Sequence, residues 1–408
     1  MLEIIFRRAT LTSNKKNKIQ TKDNRENAMK KLLSTASLFA ILAVPAFAEG
    51  TKIGVITTLS GPAGYLGEQI RDGLTLGLQA TGAAFELVVE DDGRDPNTGV
   101  QAADRMVNED GIKLVTGIVF SNVSGAVVPE VLDAGAIYVS PNAAPSPLAG
   151  EKCDPNYFVV SWQNDSLHEA SGAAAKKLGY TTAVALAPNY QAGKDAIAGF
   201  EREFGGEVTE IYTGVEQSDF AGEMAQIRDK APQVVFQFHP GGQGIAFLKQ
   251  YQQAGLLGTV PMVLSEPSYD SVILKAVGPA AIGITGTTHW NADFDNEASK
   301  AMVAAWAAAY PDTPLTTYGQ QAYDTGLLIG SALQKAGGDA DMVALQAAIK
   351  AADFTSTRGN FAFGPNQHPV QDWYMTTIEA DAAGNPVIVT KEKIRESVGD
   401  VYAANCKM

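Results

Sequence analysis

Residues 53–67 read I-G-V-I-T-T-L-S-G-P-A-G-Y-L-G, and their reading decides the fold. The first half is a run of apolar and β-branched residues, the pattern of a buried strand, and Ser60-Gly61-Pro62 breaks it into a loop that carries Gly64 and Gly67. Residues 68–79 then read as a helix with Ile70, Leu74 and Leu78 on one face. This is one βα unit with a glycine-rich loop at the carboxyl end of its strand, which is where open parallel sheets hold ligands. Later strands end in comparable loops, so the loops are expected to converge on one small-molecule site.

Outward from that unit, apolar runs alternate with helical patterns, the signature of an α/β fold. Strands are expected at 85–90, 113–120 and 136–140, with helices at 97–109 and 125–133. Residues 121–124 and the proline-rich run 141–147, P-N-A-A-P-S-P, read as loops. Residues 157–165, Y-F-V-V-S-W-Q-N-D, read as a crossing segment, because the alternation restarts after them. The second block has strands at 182–187, 207–213, 233–239 and 260–265, with helices at 166–178, 194–204, 221–230 and 245–254. A strand at 282–290, helices at 297–310, 320–336 and 339–352, and hairpins between 358 and 390 complete the chain.

The amino end is a targeting segment. Met29 opens a complete secretory signal: Lys30 and Lys31, an apolar run from residue 32 to 44, and Ala46-Phe47-Ala48 as the cleavage site. Cleavage after Ala48 and an exported product are expected, with Met29 as the initiator and Glu49, not a lipid-accepting cysteine, following the cut. Residues 1–48 hold nine of the 31 Lys/Arg and three of the 45 Asp/Glu, leaving 22 and 42 and a net charge of −20. That balance argues against a nucleic-acid partner, and no apolar stretch of about 20 residues is left to span a membrane. Cys153 and Cys406 are the two cysteines. In an oxidising compartment an even pair is expected to be bridged, tying the tail to the middle of the chain and stabilising it by at most ~5 kcal/mol.

Catalytic signatures are absent: no G-x-S-x-G, no phosphate loop, no H-E-x-x-H. The four histidines lie far apart, and Glu90, Asp91, Asp92 and Asp95 depart from the twelve-residue calcium loop at Gly93 and Pro96. Asp95 before Pro96 suits a helix start instead. No metal, no cofactor and no enzymatic activity are expected. Ser121 offers a hydroxyl and an N–H at a helix start, a combination suited to a carboxylate. Asn142, Ala143 and Ala144 could add backbone donors, Tyr190 an aromatic cover, and Glu266 an acceptor for an ammonium group.

The motifs I-G-V-I-T-T-L-S-G-P-x-x-x-x-G, E-D-D-G-R-D-P (90–96), G-I-V-F-S-N-V-S (117–124), Y-V-S-P-N-A-A (138–144), Q-S-D-F (217–220) and A-Y-D (322–324) resemble the branched-chain-amino-acid type of periplasmic solute-binding protein. The resemblance runs the length of the mature chain. It implies the type I periplasmic binding fold: two Rossmann-like lobes joined by three crossings, with the ligand cleft between them. The lobes would be 49–163 plus 291–357 and 164–290 plus 358–408. Carried over by position, the carboxylate-binding serine falls on Ser121, the next loop's donors on Asn142, Ala143 and Ala144, and the acid holding the ammonium on Glu266. Leu66, Phe120 and Tyr318 would form the apolar wall. Leucine-binding members carry an aromatic near position 66 and align their second-lobe tyrosine nearer Ala192 than Tyr190. Their local disulfide has no counterpart at Gly93 and Phe120.

The expected function is the solute-binding component of an ABC importer, a monomer that closes by hinge motion on a small carboxylate-bearing solute and presents it to a membrane permease and ATPase. Glu266 points to an amino acid, with the branched-chain type as a candidate, because a buried carboxylate facing an apolar ligand is costly. The alternatives are an aromatic carboxylate, amide or urea carrier of the same fold, or an exported ligand sensor. An exported hydrolase would need a nucleophile and base that the sequence does not offer.

Overall fold

The structure is a computed structural model that describes residues 50–408; the signal segment and its cleavage site lie outside the described residues. In chain order the elements are β1 (Thr51–Thr57), α1 (Gly64–Thr81), β2 (Phe85–Asp91), α2 (Pro96–Asp104), β3 (Leu114–Thr116), α3 (Ser121–Asp133), β4 (Ile137–Ser140), α4 (Ser146–Ala149) and β5 (Tyr157–Val159). Next come α5 (Asn164–Lys177), β6 (Thr182–Pro188), α6 (Gln191–Phe204), β7 (Glu207–Thr213), α7 (Ala221–Lys230), β8 (Val234–Gln237), α8 (Gly242–Gln253), β9 (Val263–Ser265), α9 (Ser271–Val277) and β10 (Thr285–Thr288). The chain ends with α10 (Glu297–Ala309), α11 (Thr317–Ala336), α12 (Met342–Lys350), β11 (Phe361–Phe363), β12 (Pro369–Ala380) and β13 (Pro386–Val398).

Strands β1 to β5 form a parallel sheet in the order β2-β1-β3-β4-β5. A second parallel sheet has the order β7-β6-β8, and the bridge Val235–Met262 joins it to the sheet β11-β12-β10-β9, where β13 pairs with β12. The fold is therefore mixed α/β with parallel sheets. Ile53, Val55 and Ile56 are fully buried, as a central parallel strand requires, since helices cover both of its faces.

Helix α1 packs lengthwise on α11, and glycine makes the close approach possible: a Cβ at Gly73 would lie 2.1 Å from the Gly319 carbonyl oxygen. At Gly67 a Cβ would fall 2.0 Å from the Thr58 carbonyl, so the opening loop folds tightly onto its own strand. Asp95 caps α2, accepting from the Thr98 N–H at 2.9 Å with Pro96 in the first turn. That matches the capping reading of the acidic loop, and no group of metal-binding side chains occurs among the described residues.

Several boundaries differ from the sequence reading. Residues 157–159 are not part of a crossing: they form β5, paired with β4, and the crossing begins at Val160. The alternation test missed a short edge strand adjacent to the point where the chain leaves the sheet. Ser121 begins α3, so 121–124 is the helix's first turn and not a loop, and Gly117 at φ 113° ends β3 early. Helix α9 was not anticipated; Asp270 caps it by accepting from the N–H groups of Val272 and Ile273, both at 2.8 Å.

Cys153 and Cys406 are joined in a disulfide, with Cα atoms 5.6 Å apart. No helix among the described residues is long and apolar enough to cross a membrane.

Candidate functional site

Where the first sheet faces the second, a narrow cavity with about 20 Å³ of free space is enclosed by residues from both. Val119, Phe120, Ser121, Asn142, Ala143 and Tyr318 come from the β1–β5 side and its α11; Leu167, His168, Tyr190, Ala192, Phe238 and Pro240 come from the other. Trp162 and Asn164, at the first crossing, close its back. Six of the nine residues expected from sequence thus line one cavity: Phe120, Ser121, Asn142, Ala143, Tyr190 and Tyr318. Ala144, Leu66 and Glu266 are not among its lining residues. Leu66 is fully buried, and a Cβ at Gly241 of the opposite side would meet its Cδ1 at 3.5 Å.

Ser121 stands at the amino end of α3, whose first N–H groups a helix cannot bond internally. Its Oγ accepts from Asn164 Nδ2 at 2.9 Å, and the same Nδ2 donates its other hydrogen to Asp195 Oδ2 at 3.0 Å. Because the serine oxygen already accepts, its own hydrogen is free to donate. A helix amino end plus a free hydroxyl is a seat for an anionic oxygen. The loop beside it is rigid: the Ala144 N–H donates to Asn164 Oδ1 at 3.1 Å, Asn142 Nδ2 to the Val119 carbonyl at 2.6 Å, and Gln321 Nε2 to Asn142 Oδ1 at 2.7 Å. Ala143 and Ala144 therefore spend their N–H groups on Ile118 and Asn164, which makes them shape and not donors in this arrangement.

The opposite end differs. Glu266 is buried; its carboxylate oxygens accept from the Thr317 hydroxyl and, at 3.3 Å, from the Thr317 N–H. Burial, and then the charge of neighbouring Asp270, pushes the Glu266 carboxyl up to about 8, which favours its neutral form. Asp270, itself raised to about 6 by burial, accepts from Tyr65 Oη at 2.7 Å. Thr317–Glu266, Tyr65–Asp270 and Ser146–Asp195, the last at 2.7 Å, all bridge the two sides, which are drawn together around the cavity.

Aromatic groups dominate the wall. The Phe120 and Tyr190 rings lie 6.5 Å apart at 56°, and His168 meets Phe238 edge-on at 4.7 Å. His168 accepts or donates at Nδ1 with Ser265 Oγ at 2.9 Å, and burial pushes its pKa down to about 3, so it is a neutral ring. Sequence reasoning missed Trp162, Asn164, Leu167, His168 and Phe238. Trp162 and Asn164 were in view, in the segment read as a crossing; a crossing that borders a cleft is a place to look for ligand contacts. The positions of Leu167, His168 and Phe238 follow from how α5 and β8 pack, which no local pattern encodes.

The crossings are tied behind the cavity. Arg358 Nη1 donates to the Val160 and Ser161 carbonyls at 2.7 and 3.0 Å and to Gln371 Oε1 at 2.7 Å, while its Nε donates to Asp324 Oδ2 at 3.2 Å. Trp162 meets His289 edge-on at 5.2 Å.

Comparison with known proteins gives this architecture its place. Residues 50–384 match the periplasmic binding protein family model. The chain belongs to the periplasmic binding protein family. It is an ABC-transporter solute-binding protein. A solved solute-binding protein of an R. palustris ABC transporter, in complex with benzoate, is similar to this binding protein with a TM-score of 0.82 at 30% identity, covering 88% of this chain and 100% of that one. A second R. palustris solute-binding protein, in complex with 4-hydroxybenzoate, gives 0.79 at 25% identity, covering 86% and 98%. Among curated relatives, Leu/Ile/Val-binding protein homolog 6 of Brucella melitensis is 28% identical to this binding protein over 90% of this chain and 98% of its own length. The leucine-, isoleucine-, valine-, threonine-, and alanine-binding protein of Pseudomonas aeruginosa is 26% identical over 80% and 90%.

Proposed function

We propose that this binding protein carries a small monocarboxylate with an aromatic body, of the benzoate class, between two lobes that close by hinge motion. The observation that carries the reading is the cavity's polarity. Ser121 and the α3 amino end provide donors at one side, aromatic rings form the walls, and Glu266 is committed to Thr317, with burial favouring its neutral form. The closed cavity has room for little more than a water, so the lobes part to admit the ligand; its carboxylate then accepts from Ser121, and the ring packs among Phe120, Trp162, Tyr190 and Phe238. The lobes are taken as 49–163 plus 291–357 and 164–290 plus 358–408, hinged at the crossings around Arg358. The 30%-identical neighbour with benzoate bound supports this ligand class.

A second reading is a branched-chain amino acid, favoured by the names of the curated relatives and by a carboxylate at position 266, which would have to turn from Thr317 toward an ammonium group. In either case the protein is proposed to be exported to the periplasm after cleavage at Ala48 and to deliver its ligand to a permease and ATPase complex. A thermal-shift series with benzoate, 4-hydroxybenzoate, L-leucine and urea tests the choice. At 100 times its dissociation constant a ligand stabilises by ~2.7 kcal/mol. Benzoate is expected to raise the midpoint and urea to leave it unchanged; a rise with leucine and none with benzoate would overturn the aromatic reading.

A further inference from the structure

Beside the enclosed cavity, at the mouth of the cleft, lies a separate pocket of about 280 Å³ bordered by Ser60, Pro62 and Arg94 on one lobe and Glu216, Gln217 and Gln243 on the other. Arg94 is its cation. The guanidinium lies over the Phe120 ring at 4.2 Å, and Phe120 is also the wall of the enclosed cavity, so Arg94 sits on the partition between the two spaces. Its positive charge reaches Tyr190 on the far lobe, where it opposes the rise to about 12 that burial imposes.

Two features show that this cation is held in place while its counter-charge is not. The backbone of Arg94 is at φ 65°, a left-handed conformation that a non-glycine residue adopts only when its surroundings impose it. The surroundings are the acidic loop: Asp92 Oδ1 accepts the Arg94 N–H at 2.7 Å, and Asp91 Oδ1 accepts from Leu59 and Gly93, both at 2.9 Å. The Arg94 side chain is 13% exposed, and its buried Nε has no hydrogen-bond partner among the described residues. Its ion pair is with Glu216, 3.1 Å away across the cleft and 78% exposed. An ion pair with so exposed an acid contributes little, so an incoming anion can displace Glu216 at small cost.

We propose that this mouth pocket is a second, transient carboxylate subsite, at which Arg94 captures the anionic ligand before it passes Phe120 into the enclosed cavity. The inference rests on the carboxylate reading above. It resolves an electrostatic difficulty: a mature chain of net charge −20 repels an anion, and neither pocket has another Lys or Arg in its lining. Capture at Arg94 replaces Glu216 with the ligand's carboxylate. Passage inward hands that carboxylate to Ser121, and Glu216 then returns to Arg94 as the lobes close.

Stopped-flow association of benzoate, followed by the fluorescence of Trp162 and the other tryptophans, tests this in the full mature protein. Arg94→Met is expected to slow association about tenfold at low ionic strength, with the deficit shrinking at about 0.5 M salt. Glu216→Gln, which removes the competing anion, is expected to speed association severalfold. The opposite signs are the diagnostic. If both variants leave association unchanged and only hasten release, the pair is a latch between lobes and the subsite is overturned; unchanged rates in both would overturn it equally. Wild-type protein that binds no carboxylate would sink the function proposed above, and this inference with it, whereas normal binding with normal Arg94→Met kinetics sinks this inference alone.

Discussion

Ser121 and Glu266 hold matching stations in the two halves of the molecule. Each follows the carboxyl end of a short buried strand, Glu266 directly and Ser121 after residues 117–120, at the first residue of a helical turn, and each was expected to touch a ligand. Their surroundings set them apart. Ser121 is oriented by Asn164, which uses one amide group to bond both Ser121 and Asp195, and the serine's hydrogen is left for the cavity. Glu266 is turned onto Thr317, and burial, with the charge of Asp270, favours its neutral form. Two residues with equal claims in the sequence thus differ in what they offer the cavity: Ser121 keeps a hydrogen to donate, and Glu266 is occupied by Thr317. A buried acid keeps its charge only where something compensates it, and among the described residues the groups acting on Glu266 are Thr317 and the acidic Asp270.

The comparison is broken most directly at Ser121. Ser121→Ala should weaken benzoate binding by about 1.5–3 kcal/mol, the range for hydrogen bonds to charged groups, measured by calorimetry. An unchanged dissociation constant would show that the helix end alone suffices. At Glu266 the effect appears in stability against pH. The folded-state pKa of Glu266 is raised to about 8 from 4.5, so the folded state binds the proton more tightly than the unfolded one. Its contribution is complete below about pH 4.5 and is lost as pH rises through about 8. Glu266→Gln should therefore flatten the fall in unfolding free energy over that window by at least ~1 kcal/mol in denaturant titrations. Parallel curves for variant and wild type would mean that Glu266 is ionised in the folded protein. The smallest expected effect sharpens the contrast: Glu266→Gln should change benzoate affinity by less than ~0.5 kcal/mol, the usual scatter of substitutions away from a contact. An amino-acid ligand would require a loss above ~1.5 kcal/mol.

The fold was largely readable because its signals are local. The run 53–57, the breakers at 60–62 and the regular return of apolar strands each state their structure within a few residues. Strand β5 and helix α9 were not readable, the first because three residues carry no period, the second because seven residues after a turn with Pro267 look like loop. The cavity was half readable. Ser121, Phe120 and Tyr190 stand at strand ends, where the topology itself points. His168 and Phe238 come together only when α5 crosses the β6–β8 sheet, a contact between segments about 70 residues apart. The disposition of Glu266 depended on Thr317, 51 residues away, and no motif couples the two.

The Cys153–Cys406 bridge has a mechanical meaning. Cys153 lies shortly before β5, whose last residue bonds through its N–H to the Gln367 carbonyl, and Cys406 ends a tail whose Tyr402 hydroxyl reaches Asp165 at the start of α5. Both anchor points therefore sit beside the first crossing, close to the line about which the lobes would turn. A covalent tie near an axis sweeps through a short arc, so it lets the jaws swing apart freely. Sliding or twisting of one jaw past the other would stretch it at once. For lobes that turn about the crossings, the bridge would act as the pin of the joint, leaving that motion soft and making the others stiff, so that closure would return Ser121 and the aromatic walls to one register.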